Sequence, residues 1–499
     1  MIRIFVYYYA RLGGVYREMF LTFPWAIKFL YVPGFNKLRN FNSRARAYYQ
    51  FRYAKKRVPA YRAFLESKGF DEPRFKRLVP QIEDIPFIDK ENYVKVYDME
   101  SRCVGGKIPE RNIIFDESSG SSGTATNWVR GKTERKRNGK IIRFGFETLF
   151  GTEPHFIINA FALGPWATGV NVTMSCVPFS MLKSLGPEKE KIENTLRQFG
   201  TKYKYVIMGY PPFLKQLVDN SDIPWHDYTI SFIFGGESMS EGMRDFLYSK
   251  GIQKVYSSLG ASDLELNLGA ENDFTISLRR LMRSNQKLRE RITRHEGALP
   301  MIFQYNPSDF LVQTTEDGEL IITVCRFHYV APKVRYNIHD RGHQVTINEL
   351  YEIFEELGIN KNEIVAPRTD LPLLFHYGRA DMTVSFFGAN ISPVDIQESM
   401  FEMNMLVEHC NTFQIRTSED TAGDKTLEIL LEAKQGNTWE EEDADTIKTD
   451  LIAKLAKINQ DFRAAYAMAG PERIKLILCS HNEGDFANND IRIKARYLN

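Results

Sequence analysis

Between residues 180 and 260 of this 499-residue chain, short β-rich runs alternate with longer stretches of helical spacing. Tyr205-Val206-Ile207-Met208, Ile230-Ser231-Phe232-Ile233-Phe234 and Lys254-Val255-Tyr256 are the runs, and Glu188 to Phe199 and Pro212 to Asp219 are the helical stretches. Strand and helix in alternation predict an α/β domain whose strands are largely parallel. Ile113-Ile114-Phe115 opens the same texture near residue 112. Residues 301 to 347 are richer in strands, with a β run from Glu319 to Cys325 after the Asp317-Gly318 turn. Beyond Gly378 a smaller α+β unit is expected, with strands at Leu427 to Ala433 and Arg473 to Cys479 and a helix from Glu441 to Asn459. Residues 1 to about 100 read as helical, including Asn42 to Lys68 and a capped start at Asp89-Lys90-Glu91. The expected division is therefore a helical region 1–90, a large domain 91–380 and a small domain 381–499.

Composition narrows the classes. No run approaches the roughly 20 apolar residues of a membrane-spanning helix. Five cysteines (Cys103, Cys176, Cys325, Cys410, Cys479) lie far apart with no CxxC pair, which argues against a disulfide scaffold or a cysteine zinc site and for a reducing cytoplasm. The net charge of +2 hides an asymmetry: residues 1 to 60 hold 12 Lys and Arg against one acid, Glu18, leaving 53 basic and 62 acidic residues elsewhere. The same end is aromatic, from Phe5 to Tyr31. A basic aromatic helix lying on an anionic membrane or a partner is one reading of residues 1–40. A nucleic-acid patch is another, but no nucleic-acid motif accompanies it. The plainest expectation is a helical cap with aromatics in the core and cations in water.

The strongest local feature is Ser118-Ser119-Gly120-Ser121-Ser122-Gly123-Thr124. Small residues let a backbone approach a ligand, and exposed N–H groups with hydroxyls cradle polyphosphate. No Gly-Lys-Ser/Thr follows, so it is not a Walker A loop. Downstream, Phe234-Gly235-Gly236-Glu237 ends a strand on two glycines that would admit a flat ligand. Ser258-Leu259-Gly260-Ala261-Ser262-Asp263 ends in a carboxylate able to hold a hard cation. Arg335-Tyr336-Asn337-Ile338-His339-Asp340 offers a carboxylate suited to ribose hydroxyls, and Tyr377-Gly378-Arg379-Ala380-Asp381 falls at the domain border.

In this order and spacing the segments resemble the adenylate-forming superfamily of acyl-CoA synthetases, adenylation domains and luciferases, over about residues 90 to 499. The phenylacetate–CoA ligase-like branch is the most similar. The resemblance implies a large domain of mixed sheets and helices and a small mobile α+β domain. It implies activation of a carboxylic acid by ATP and Mg2+ to an acyl-adenylate, followed by transfer to CoA or to a carrier protein's thiol. Ser118 to Thr124, Gly235, Gly236, Glu237, Ser262, Asp340 and Arg379 would bind ATP. Asp263 would hold the metal, Asp381 would be the hinge, and Lys494, in Ile493-Lys494-Ala495-Arg496, would be the catalytic lysine, with Lys475 and Arg492 as lesser candidates. His155, Phe156, Tyr210 and Phe234 are acyl-pocket candidates, with Phe161 and Trp166 nearby; an aromatic lining suits an apolar acid. The resembling branch also commonly forms homodimers. Four departures stand out: Thr124 replaces the loop lysine, Leu259 an aromatic, Asp263 a glutamate, and His339 a small residue. They keep a non-catalytic nucleotide-binding member of the superfamily open as an alternative.

Overall fold

The structure is a computed structural model that describes residues 1–118, 126–164, 166–219, 221–264, 267–293, 299–379, 384–387, 389–419, 425–440, 443–487 and 497–498. Its centre is an eleven-stranded sheet. Edge to edge the strands are Phe310–Thr314, Glu319–Val324, Tyr336–Val345, Leu373–Arg379, Met301–Gln304, Gly269–Ala270, Val255–Leu259, Thr229–Phe234, Lys204–Gly209, Phe156–Asn159 and Met181–Ser184. The last five pair in parallel, as the alternating pattern predicts, and the rest are antiparallel. Ile113–Ser118 departs from the expectation: it forms an antiparallel hairpin with Thr126–Gly131 outside this sheet.

The parallel strands are covered on both faces, and their period of two sorts each residue to one side. Phe156, Ile158, Tyr205, Ile207, Ile230, Phe232 and Phe234 enter one core. Ile157, Val206, Met208 and Ile233 enter another, on the opposite face. A separate core gathers residues from Val384 onward alone, around the strands Cys410–Glu419, Lys425–Ala433 and Ile474–Cys479. The helix Pro393–Phe401 seats this unit against Glu241–Ser249. The Ser240 and Gly242 N–H groups donate to Gln397 (2.9 Å) and Glu398 (3.2 Å), and Arg283 pairs with Glu398 at 2.5 Å.

The amino-terminal helices α1 (Ile2–Thr22), α2 (Asn36–Arg57) and α3 (Pro59–Ser67) share one core with Phe310, Ile322, Tyr336 and Leu374 of the sheet. Pro59 divides what reads as one helix into two, because proline drives the residue before it out of the helical region; Val58 is extended at φ −112°. Gly14 lets α1 lie close to the body: a Cβ there would stand 1.8 Å from the Phe327 ring.

This end bears out the expected core aromatics and solvated cations only in part: Tyr7 and Tyr9 pack on the core and Arg11, Lys28 and Lys37 stand in water, but other residues do the opposite. Arg17, Arg39 and Arg46 are buried. Arg17 and Arg326 converge on buried Asp309, Arg39 pairs with Asp370 at 2.9 Å, and Arg46 donates to the carbonyls of Ser308 (3.0 Å) and Gly13 (3.1 Å). Meanwhile Phe5, Tyr8, Phe23, Trp25 and Phe29 stand exposed. A charge taken from water is tolerated when it is paired, whereas an aromatic left in water gains nothing from folding. No described helix is long and apolar enough to cross a membrane.

Candidate active site

A cavity of about 650 Å³ opens at the carboxyl ends of the parallel strands, where open α/β sheets present their ligand crevices. Its walls are the loops that follow four of those strands: Phe161 after Asn159, Tyr210 after Gly209, Gly235 to Ser238 after Phe234, and Gly260 to Asp263 after Leu259. Tyr336 to Asp340, His376 and Arg379 close it from the antiparallel side. Gly235, Gly236, Glu237, Ser262, Asp263, Asp340, Arg379 and Tyr210, distant in sequence, thus meet at one site.

Asp340 and Arg379 face each other across neighbouring strands. The His376 Nε2 lies 2.9 Å from a carboxylate oxygen of Asp340, fixing its direction. From the same strand as Asp340, the Tyr336 hydroxyl donates to Asp263 at 3.1 Å. The loop carrying Asp263 is clamped by Arg130, which donates to the Ser262 and Leu264 carbonyls and is itself held by Asp116 at 3.2 Å. Asn171 also donates to Asp116, so this buried pair is anchored from a third element. Buried Lys333 sits 4.0 Å from the Trp128 ring centre and 5.0 Å from that of Tyr336. Burial, with Arg102 and Arg130 nearby, pushes its ammonium well below the usual lysine range, and Asp263 opposes that shift.

His339 holds a left-handed backbone (φ 59°) and turns its ring toward acids, 3.2 Å from Glu319 and 3.8 Å from Asp89. Burial alone would raise the Glu319 carboxyl, but hydrogen bonds from Asn337 and His339 hold it below its ordinary range. Arg335 turns away from the cavity and donates to the Ile82 (3.2 Å) and Ile85 (2.7 Å) carbonyls, so it ties the strand to the amino-terminal region. The space that Gly236 (φ 82°) leaves is filled by the Tyr210 ring, which an added Cβ would meet at 2.6 Å. That glycine thus serves a protein contact as well as any ligand.

Three acyl-pocket candidates lie away from the cavity. Phe156 and Phe234 fall on the far face of the sheet by strand parity, Phe156 against Phe199 and Tyr205, Phe234 beneath Arg244. Buried His155 has Nδ1 2.7 Å from the Glu153 carbonyl and packs on Phe146 and Phe150. Met208 and Ile233, of opposite parity, line the cavity instead, with Phe161, Trp166 and Tyr210. Tyr31 reaches the same cavity, its ring stacked on Phe144 at 4.6 Å. Ser119 to Thr124, Asp381, Arg492 and Lys494 lie outside the described residues, as does the side chain of Ser118. The strands flanking the Ser/Gly loop are described: Ser118 pairs with Thr126, and Glu117 lines the cavity. Tyr497 also reaches the cavity wall, while its carbonyl accepts from the Ile415 N–H at 2.7 Å. Lys475 is exposed on the strand Ile474–Cys479, away from the cavity. Arg130, Lys333, His376 and Tyr497 carry no motif that sequence reading could have used.

No family model and no curated protein matches the sequence. Solved structures do match in shape. A 2-hydroxyisobutyryl-CoA ligase in its postadenylation state, in complex with R3-HIB-AMP, superposes with a TM-score of 0.65 at 14% identity, covering 94% of this chain and 90% of that one. The same ligase with 2-HIB-AMP and CoA gives 0.53 in the thioester-forming state (15% identity, 93% and 90% covered). In an open conformation it gives 0.52 (14% identity, 94% and 92% covered). The chain has the fold of the adenylate-forming CoA ligases over nearly its whole length.

Proposed function

We propose that the chain is an ATP-dependent carboxylate–CoA ligase of the phenylacetate–CoA ligase-like kind, forming an acyl-adenylate and then a thioester. The observation that carries this reading is the convergence of Gly235-Gly236-Glu237, Asp263, Asp340 and Arg379 on one cavity at the carboxyl ends of parallel strands. Asp340, oriented by His376, takes the ribose hydroxyls. Asp263, held by Tyr336 and the Arg130 clamp, is the protein ligand for magnesium. Among the described residues no three His, Cys, Asp or Glu side chains converge to hold a metal by themselves, so the ion would also need oxygens that the nucleotide brings. Magnesium held by Asp263 would supply charge neutralisation at the phosphates. The Ser118–Thr124 loop wraps the outer phosphates, Lys494 contacts the reacting oxygens, and Asp381 is the hinge of the small domain. Ile233, Met208, Phe161 and Trp166 favour an apolar or aryl acid.

Pyrophosphate release from ATP and Mg2+ is measured across aryl and fatty acids, with and without CoA. One responsive acid and a CoA-dependent thioester support the reading. Release that stops at the adenylate points to a carrier protein as acceptor, and silence across the panel with ATP still bound favours a non-catalytic nucleotide-binding protein. Lys494→Ala should lower adenylation far more than use of presynthesised acyl-adenylate; equal losses would remove Lys494 from the reaction.

A further inference from the structure

Of the 25 large apolar side chains that stand exposed among the described residues, 16 belong to the first 38 residues. Their placement in α1 is regular. Val6, Ala10, Gly14, Arg17 and Leu21 form the stripe that faces the body. Ile4, Tyr8, Leu12, Val15 and Met19 repeat the same spacing two residues earlier, which is about 200° around a helix, and each is more than half exposed. This second stripe runs roughly 22 Å along the surface. A helix apolar all round is ordinarily covered all round, and here the body covers one side. Beyond the helix Trp25, Phe29, Phe35 and Leu38 are exposed as well.

Charge identifies what covers it. Arg11, Lys28 and Lys37 are exposed on this segment and take part in no ion pair with the described residues. The one acid, Glu18, is already engaged by Arg137 at 2.8 Å. A second copy of the chain would set these cations against themselves, because a twofold interface brings the same patch to both sides. We propose that residues 1–38 form a docking face for an anionic lipid bilayer, with the outer stripe of α1 in the headgroup–acyl boundary and Arg11, Lys28 and Lys37 at the phosphates. The tyrosines and Trp25 have the apolar body and polar tip that such a boundary favours. The chain lies on the membrane rather than through it.

The full-length protein is floated with phosphatidylcholine vesicles and with vesicles containing about 30% phosphatidylglycerol. Flotation is expected with the anionic vesicles and weakened by high salt. Leu12→Gln with Met19→Gln should lower partitioning more than tenfold, and Arg11→Gln with Lys28→Gln should remove the preference for phosphatidylglycerol. All four side chains point outward, so melting temperatures should match wild type and misfolding cannot imitate the result. No flotation of the wild type, or flotation equal in all three proteins, overturns the proposal. So does an oligomer in solution that the Leu12/Met19 variant dissociates, which would assign the face to a second copy.

Discussion

Phe232 and Leu12 are both large apolar side chains in regular elements, yet Phe232 is fully buried and Leu12 is 60% exposed. In the parallel layer apolar residues fill two cores, and the deep charges, Glu241, Arg244, Glu271 and Arg279, stand beside them as a paired network. At the amino terminus the arrangement turns over: guanidinium groups go inward to Asp309 and Asp370, and much of the aromatic surface goes outward. The difference teaches that hydrophobicity alone does not say which side of an element is inside. Neighbours already built, here the carboxylates of the sheet's far edge and loops, decide it.

Substitutions can break that contrast. The largest stability loss is expected from Phe232→Ala, about 3–5 kcal/mol in urea unfolding, through a cavity in a core that cannot collapse. Asp309→Asn should cost nearly as much, about 3 kcal/mol, by leaving Arg17, Arg46 and Arg326 buried without their carboxylate; a loss below about 1 kcal/mol would mean that charge does not anchor α1. Glu241 tests the network beneath the sheet. Burial would raise its carboxyl, but Arg244, Arg279 and Arg280 hold it at about 2, below the ordinary 4.5. Its contribution, about 3 kcal/mol, is therefore complete above pH 4.5 and lost as pH falls toward 2. The gap between wild type and Glu241→Gln should narrow over that window and stay constant above it. His376→Gln, which removes a neighbour that aims Asp340, should raise the KM for ATP about tenfold, or ~1.4 kcal/mol, with little change in kcat; equal losses in both would make His376 more than a positioning residue. Leu12→Ser should leave stability within about 0.5 kcal/mol, measured in the same urea series as Phe232→Ala.

Much of this was legible in sequence because the relevant forces act over short spacings. Strand and helix periods placed Tyr205–Met208, Ile230–Phe234 and the helix at Pro211–Asp219 within a residue or two. The order of small-residue and carboxylate segments brought Gly235, Asp263 and Asp340 to a common cavity. Parity was the missing step for the pocket: reading Phe234 as buried with Phe232 and Ile230 would have directed attention to Ile233 and Met208. The clamps Arg130–Asp116 and His376–Asp340 could not be read, because each joins residues whose proximity exists only after the sheet has formed. The inversion at the amino terminus was hidden for the same reason, since the partners of Arg17 and Arg39 lie 292 and 331 positions away.

Gly14 sets how near α1 rides above Phe327, whose ring is wedged against Tyr49 at 4.3 Å and has little room to yield. Arg17 on Asp309, Glu18 on Arg137 and Arg46 on the Gly13 carbonyl fix the same stretch of helix. Adding a single methyl group at residue 14 would therefore strain those ties together rather than one contact. A lone hydrogen in place of a side chain thereby sets how far the outer surface stands from the body.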